Sequence, residues 1–449
     1  MSGVESTEPE REISEALFEP LEFRNLRVKN RILRSNVSGR FDHYDGTGTQ
    51  ARINWEVKFA RGGVGAIVSS WCGVHRRGFI VPNYASIESD ERIPFWRELG
   101  RRVHEHDCPF ILQLAFGGRQ RDVNGVEFAK GWSSTDEPDP LHGFECERMT
   151  KAQIEEVTES FAEGARRAKE AGLDGVEIHG ANGYVFTQFL SSAINDREDE
   201  YGGSLENRAR FLLDTVRAIR ARVGDEFHLQ VKLSTTEYGD ALLPWAAKGN
   251  TIEDSVQVAR WVEEAGADAI HVSSGNTFPH PDNPAGTFSA ADVVATYDVL
   301  LSSGRHTFRN YLLFRTWPFS RIVEHRAGRS LKRVEGANLG DSAAIKAAVS
   351  IPVLCTGGFQ RASTIADALR RGDCDAVTIA RALIATPDLV EHYRAGRDEP
   401  PRPCTYCNKC LYAVLESPLG CYDERRYPSR EAMLEEILSV FRDEAVPAA

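Results

Sequence analysis

Long apolar runs are missing from this chain. No stretch of its 449 residues approaches the ~18 consecutive apolar residues that cross a bilayer. A basic excess is missing too: Lys and Arg number 54 against 66 Asp and Glu, a net charge of −12. That balance makes nucleic acid and anionic membrane surfaces poor partners for the chain as a whole. The opening residues, MSGVESTEPEREISEA, hold neither a basic n-region nor an apolar core. A secretory leader is therefore not expected, and the cytoplasm is the expected compartment. In that compartment the nine cysteines read as thiols or metal ligands rather than disulfides.

What is present is a repeat. Arg61–Ser69, Ala171–His179, Ala265–Ser273 and Arg371–Ala380 share one grammar: a helix end, a glycine, a small or acidic turn, then a β-branched strand. Each is the αβ joint of a βα unit. Further strands are expected at Arg31–Ser35, Pro109–Leu114, His228–Leu233 and Ile351–Thr356, giving eight in all. Between them Thr150-x-x-Gln153 is a capping box leading into Ile154, Val157, Phe161, Ala165 and Ala168 at helical spacing. Leu205, Leu212, Val216, Ile219 and Val223 mark the next helix. Eight strands alternating with helices predict an α/β fold, a (β/α)8 TIM barrel, with a doubly wound open sheet as the alternative.

In such a barrel the chemistry gathers at the carboxyl ends of the strands. Those ends carry Ser35, Ser69 with Ser70, Gln113, His179, Lys232, Ser273 with Ser274, Gly357 with Gly358, and Ala380 with Arg381. His179, Asn182 and Tyr184 follow one strand within six positions, offering two hydrogen-bond donors for an oxygen and one proton donor. Gly357-Gly358, ahead of a helix, suits a phosphate at a helix N-terminus, with Arg381 as the charged contact. A plain tight turn is the alternative for the glycine pair.

Near the C-terminus Cys404, Cys407, Cys410 and Cys421 form a Cx2Cx2Cx10C pattern. Zinc and a [4Fe–4S] cluster both suit that spacing, with an unmetallated remnant as the alternative. Residues 275–339 exceed a normal βα loop several-fold. Between Arg305 and Arg333 this insertion carries eight Lys/Arg against one acid, Glu324, with aromatic residues interleaved. It is expected on the catalytic rim as a lid, reading an anionic tail through Arg309, Arg315 and Arg321; a subunit contact or a solvated appendage is the alternative. The expected organisation is a disordered tail at 1–15, a barrel at 16–400 and a cysteine-rich extension at 401–449.

Leu17-Phe-Glu-Pro-Leu, Lys29-Asn-Arg-Ile, Gln113-Leu, His179-Gly-Ala-Asn-Gly-Tyr184, Glu200-Tyr-Gly-Gly-Ser-Leu-Glu-Asn-Arg208 and Cys355-Thr-Gly-Gly-Phe together carry a resemblance. The chain resembles the Old Yellow Enzyme family of FMN-dependent ene-reductases and, more distantly, its iron–sulfur relatives 2,4-dienoyl-CoA reductase and trimethylamine dehydrogenase. Relatives often have aspartate where this chain has Glu200. The resemblance implies FMN held by Ser35, Ser38, Ser70, Gln113, Lys232, Gly357, Gly358, Ala380 and Arg381. Lys232 stands where relatives usually carry arginine. His179 and Asn182 would clamp a carbonyl or nitro oxygen, and Tyr184 would protonate the α-carbon. The cysteine motif sits where the iron–sulfur relatives hold their cluster. The implied activity is NAD(P)H-dependent reduction of the C=C bond of an enone, enoate or nitroalkene, in a homo-oligomer acting on small molecules. The alternatives are flavin-dependent amine dehydrogenation and a non-catalytic metal-binding interaction protein.

Overall fold

The computed structural model describes residues 15–121, 127–140, 143–238, 249–277, 280, 283–287, 289–300, 305–328 and 334–442. The expected disordered tail lies, but for residue 15, outside the described residues. Eight strands form the expected barrel: β1 (Ile32–Arg34), β2 (Ile67–Val68), β3 (Phe110–Ala115), β4 (Gly175–Gly180), β5 (His228–Ser234), β6 (Ala269–Ser273), β7 (Val353–Thr356) and β8 (Ala376–Ile379). All pair in parallel in sequence order, β8 returns to β1, and the β2–β3 pairing completes a closed ring. Closure, rather than the open sheet, leaves no strand edge to shield.

Helices follow the strands: α1 (Gln50–Arg61), α2 (Ile93–His104), α3 (Lys151–Glu170), α4 (Leu205–Val223), α5 (Ile252–Glu264), α6 (Leu339–Lys346) and α7 (Ala362–Arg371). In α3 both halves of the capping box form, the Thr150 hydroxyl on the Gln153 N–H and the Gln153 amide on the Thr150 N–H. Its buried face is the predicted stripe, Ile154, Val157, Phe161, Ala165 and Ala168. Each large apolar side chain there contributes about 1.5–3 kcal/mol on leaving water. At the C-terminus of α7 Gly372 takes φ 73°, a left-handed turn that aims the chain at β8 at no steric cost.

The insertion after β6 holds three helices, Ala290–Leu300, Arg305–Arg315 and Phe319–Gly328, packed on one another, the first also against Lys409–Ala413. Ala290, Val293 and Phe314 join Trp71, Ile80, Tyr84, Tyr184 and Tyr412 in an apolar cluster separate from the main core. The insertion thus rests on the rim that carries Tyr184. The C-terminal segment is no loose appendage: Val414, Leu419 and Val440 belong to the main core, and Cys404, Cys410 and Cys421 pack against it. No helix among the described residues is long and apolar enough to cross a membrane.

Candidate active site and cysteine cavity

The parallel register decides which side chains meet. Gln113 pairs with Glu177 and Lys232 with His179, so β3, β4 and β5 present an amide, a carboxylate, an imidazole and an ammonium around one end of the ring. Glu177 is fully buried and accepts from Gln113 Nε2 at 2.7 Å, Gln230 Nε2 at 2.5 Å and His271 Nδ1 at 2.6 Å. Burial opposes its charge, yet the His271 ring, Lys232 and the Gln230 amide hold its pKa down at about 2. Above it, Asn36 donates to Gln113 Oε1 at 3.0 Å and accepts from Lys232 Nζ. Burial lowers Lys232 to about 8, with Glu177 resisting the shift, so it remains cationic at neutral pH.

His179 follows at the mouth of β4. Burial and then the Lys232 charge push its pKa down to about 3, so the ring is neutral and offers one N–H as a donor. Its Nδ1 atom is buried with no hydrogen-bond partner. The ring meets Tyr184 edge-on, with centroids 4.7 Å apart at 70°. Tyr184 caps the short helix Val185–Leu190 and is 5% exposed. Asn182 takes φ 61°, and its amide donates to Ser273 Oγ at 3.2 Å and Ser274 O at 3.1 Å. A substrate oxygen taken up by Asn182 would have to displace one of these long bonds.

The other predicted residues sit nearby. Ser38 Oγ accepts from Trp71 N at 3.0 Å, Ser70 Oγ reaches Glu56 at 3.5 Å, and Ser35 Oγ reaches Asn36 at 3.4 Å. Gly358 has φ 66°, and a Cβ there would lie 2.4 Å from Val334 O, so only glycine fits. The loop before α7 is held by a residue that sequence reasoning missed, Glu335, which accepts from Gln360 N at 2.6 Å and Arg361 N at 2.7 Å, while in the first turn of α7 Ser363 N donates to Asp398 Oδ1 at 2.7 Å. Arg381 turns away from that helix: Nη1 donates at 2.6 Å to both Ala285 O and Asn408 Oδ1, and the guanidinium lies over the Tyr406 ring. Asn36 was also missed. A polar residue directly after a barrel strand was its signal.

Cys404, Cys407, Cys410 and Cys421 line one small cavity with Arg381, Asn408 and Arg426. Tyr406 at φ 54° and Asn408 at φ 60° turn the chain tightly between the thiols. Two sulfurs receive donors: Tyr406 N on Cys404 at 3.4 Å and Arg426 Nη1 on Cys421 at 3.1 Å. Among the described residues no three His, Cys, Asp or Glu side chains converge enough to hold a single metal ion.

Residues 16–300 match the model of the NADH:flavin oxidoreductase / NADH oxidase family. The chain belongs to that family. Residues 322–427 also match the dihydrouridine synthase model. The chain is 39% identical over 269 residues to an NADPH dehydrogenase of Geobacillus sp. (strain WCH70), covering 59% of this chain and 74% of that one. It is 29% identical over 395 residues to an NADH oxidase of Thermoanaerobacter brockii, covering 87% of this chain. The chain spans about half that relative's length, 52%. A 2-naphthoyl-CoA reductase complexed with 2-naphthoyl-CoA superposes with a TM-score of 0.74 at 24% identity, covering 91% of this chain and 56% of that one. At that identity the likeness shows the fold alone. Family membership bears out the sequence-based resemblance and, with it, a flavin and a nicotinamide nucleotide as cofactors.

The rim fits such a flavin: an ammonium, an amide and a partnerless imidazole nitrogen converge on one end of the barrel.

Proposed function

We propose that this family member is an FMN-dependent oxidoreductase that uses NAD(P)H to reduce the activated C=C bond of an α,β-unsaturated carbonyl or nitro compound. The observation that carries it is His179: a buried imidazole, held neutral, with a ring nitrogen left without a partner beside Tyr184. A neutral N–H donor suits a carbonyl oxygen that gains negative charge as the reaction proceeds.

Gln113, Lys232 and the serines at Ser35, Ser38 and Ser70 would hold the flavin ring, with Gly357, Gly358 and Ala380 at its phosphate end, which Arg381 would reach only by leaving Ala285 and Asn408. When bound, FMN supplies hydride taken from NAD(P)H. Lys232 places a fixed cation where a reduced, electron-rich ring benefits from one. His179 draws electron density from the substrate oxygen, making the β-carbon electrophilic. Tyr184, against the His179 ring, is positioned to give its phenolic proton to the α-carbon. The insertion closes the rim with apolar groups, Val293 and Phe314, which exclude water from Tyr184. Its cations Arg309, Arg315 and Arg321 point outward, which favours an apolar pocket over recognition of an anionic tail. The four cysteines, around a cavity with donors on two sulfurs, favour a [4Fe–4S] cluster over zinc.

The test is anaerobic incubation with NAD(P)H and 2-cyclohexen-1-one. The saturated ketone should form in step with NAD(P)H consumed. Dehydrogenation of a tertiary amine with no ketone formed would overturn the reading in favour of amine oxidation.

A further inference from the structure

Among the described residues eight large hydrophobic side chains are exposed, and five lie in one short segment of the insertion: Phe308, Leu312, Trp317, Phe319 and Ile322. Solvent-exposed apolar groups scattered singly need no explanation, but a cluster does. The helix Arg305–Arg315 has two faces. Thr307, Asn310 and Phe314 are buried, whereas Phe308, Arg309, Leu312 and Arg315 face solvent. The chain then turns through Trp317, which at 76% exposure is the most exposed of the five, and Phe319 opens the next helix.

The charge of this segment is reversed relative to the rest of the protein. Arg309, Arg315 and Arg321 are exposed, and the single acid, Glu324, is half-buried, accepting from Ala290 N at 3.1 Å with one oxygen and pairing with Arg321 at 3.6 Å with the other. We propose that this helix–turn–helix docks the protein on an anionic phospholipid surface. Trp317, Phe319 and Ile322 would enter the boundary between headgroups and acyl chains, and the three arginines would meet lipid phosphates. A protein partner fits less well, because five apolar side chains around a turn fall short of the roughly 20–30 residues a side that a stable protein interface uses. The overall negative charge is no obstacle: it repels the remainder of the molecule from the bilayer and so orients the basic segment toward it. Docking would also set the lid's outer side against lipid, since Phe314 of the same helix packs inward in the Tyr184 cluster.

The test is co-sedimentation of the full chain with phosphatidylcholine vesicles with and without phosphatidylglycerol. The protein should pellet with the anionic vesicles and stay in solution with the neutral ones. A Trp317→Ser/Phe319→Ser variant should stay in solution with both. Arg309→Gln/Arg315→Gln/Arg321→Gln should lower the partition coefficient on the order of 100-fold, as should high salt. Trp317→Phe, which keeps the apolar surface, should still pellet while losing most of the tryptophan quenching by brominated lipid. Wild-type protein that ignores anionic vesicles would overturn the proposal, as would variants that pellet like wild type. A concentration-dependent dimer abolished by Trp317→Ser/Phe319→Ser, without vesicle binding, would reassign the surface to a second copy.

Discussion

Replacing His179 with leucine separates its chemical role from its structural one. The imidazole is buried and its pKa is about 3, so at pH 7 about one molecule in ten thousand carries an imidazolium. In the proposed reaction it would act as a neutral donor to the substrate oxygen, and losing one such donor costs about 100- to 1000-fold in rate, roughly 2.7–4 kcal/mol. The Asn182 amide is engaged with Ser273 and Ser274, so no second free donor compensates. The assay is the rate at which reduced enzyme transfers hydride to 2-cyclohexen-1-one in anaerobic stopped flow. Stability should move the other way, because leucine removes a buried polar atom that has no partner, leaving Tm unchanged or raised. There is a pH signature as well. The unfolded imidazole binds a proton below about pH 6.5 and the folded one does not until about pH 3. Stability is thus full above pH 6.5 and lost as pH falls toward 3, by about 1.4 kcal/mol per pH unit for this group. His179→Leu should flatten that slope by one proton. An unchanged hydride-transfer rate would refute the reasoning. So would a rate limb near pH 6.5 in wild type that vanishes in the variant, because it would show that the ring titrates.

Lys232→Met should lower the flavin reduction potential by about 30–65 mV, the equivalent of losing a 1.5–3 kcal/mol charged hydrogen bond, measured by dye-coupled reductive titration. In wild type the cation is present at pH 7 and lost as pH rises through about 8, so flavin reduction by NAD(P)H should slow across that range. Cys410→Ser should remove most of the bound iron by elemental analysis, while an iron-free wild type would leave the cysteine cavity without its proposed occupant. Glu335→Ala leaves the Gln360 and Arg361 N–H groups of the loop before α7 without their acceptor and should cost about 1–2 kcal/mol in chemical denaturation.

The barrel was legible because its periodicity repeats: helix end, glycine, turn and β-branched strand recur often enough to fix eight strands and their order. Parallel register then carries Gln113, His179 and Lys232 to one rim with no further information. Asn36 and Glu335 escaped notice because their roles depend on what lies across the fold: Asn36 bridges strands three and five, and Glu335, placed ahead of α6 and β7, holds the loop that leads into α7. Arg381 sits at its predicted strand end, but spacing along the chain does not reveal that its guanidinium is drawn to Ala285 and Asn408. The insertion was legible as a length and a charge pattern only. Which of its faces is buried is decided by Phe314 packing into the cluster around Tyr184.

The most direct test of the account is the visible spectrum of the purified protein, followed anaerobically through two additions. NAD(P)H should bleach a flavin band, and an enone added next should restore it at a rate that His179→Leu slows at least 100-fold. A protein without a flavin band, or one that NAD(P)H bleaches and no enone or nitroalkene reoxidises, would contradict it.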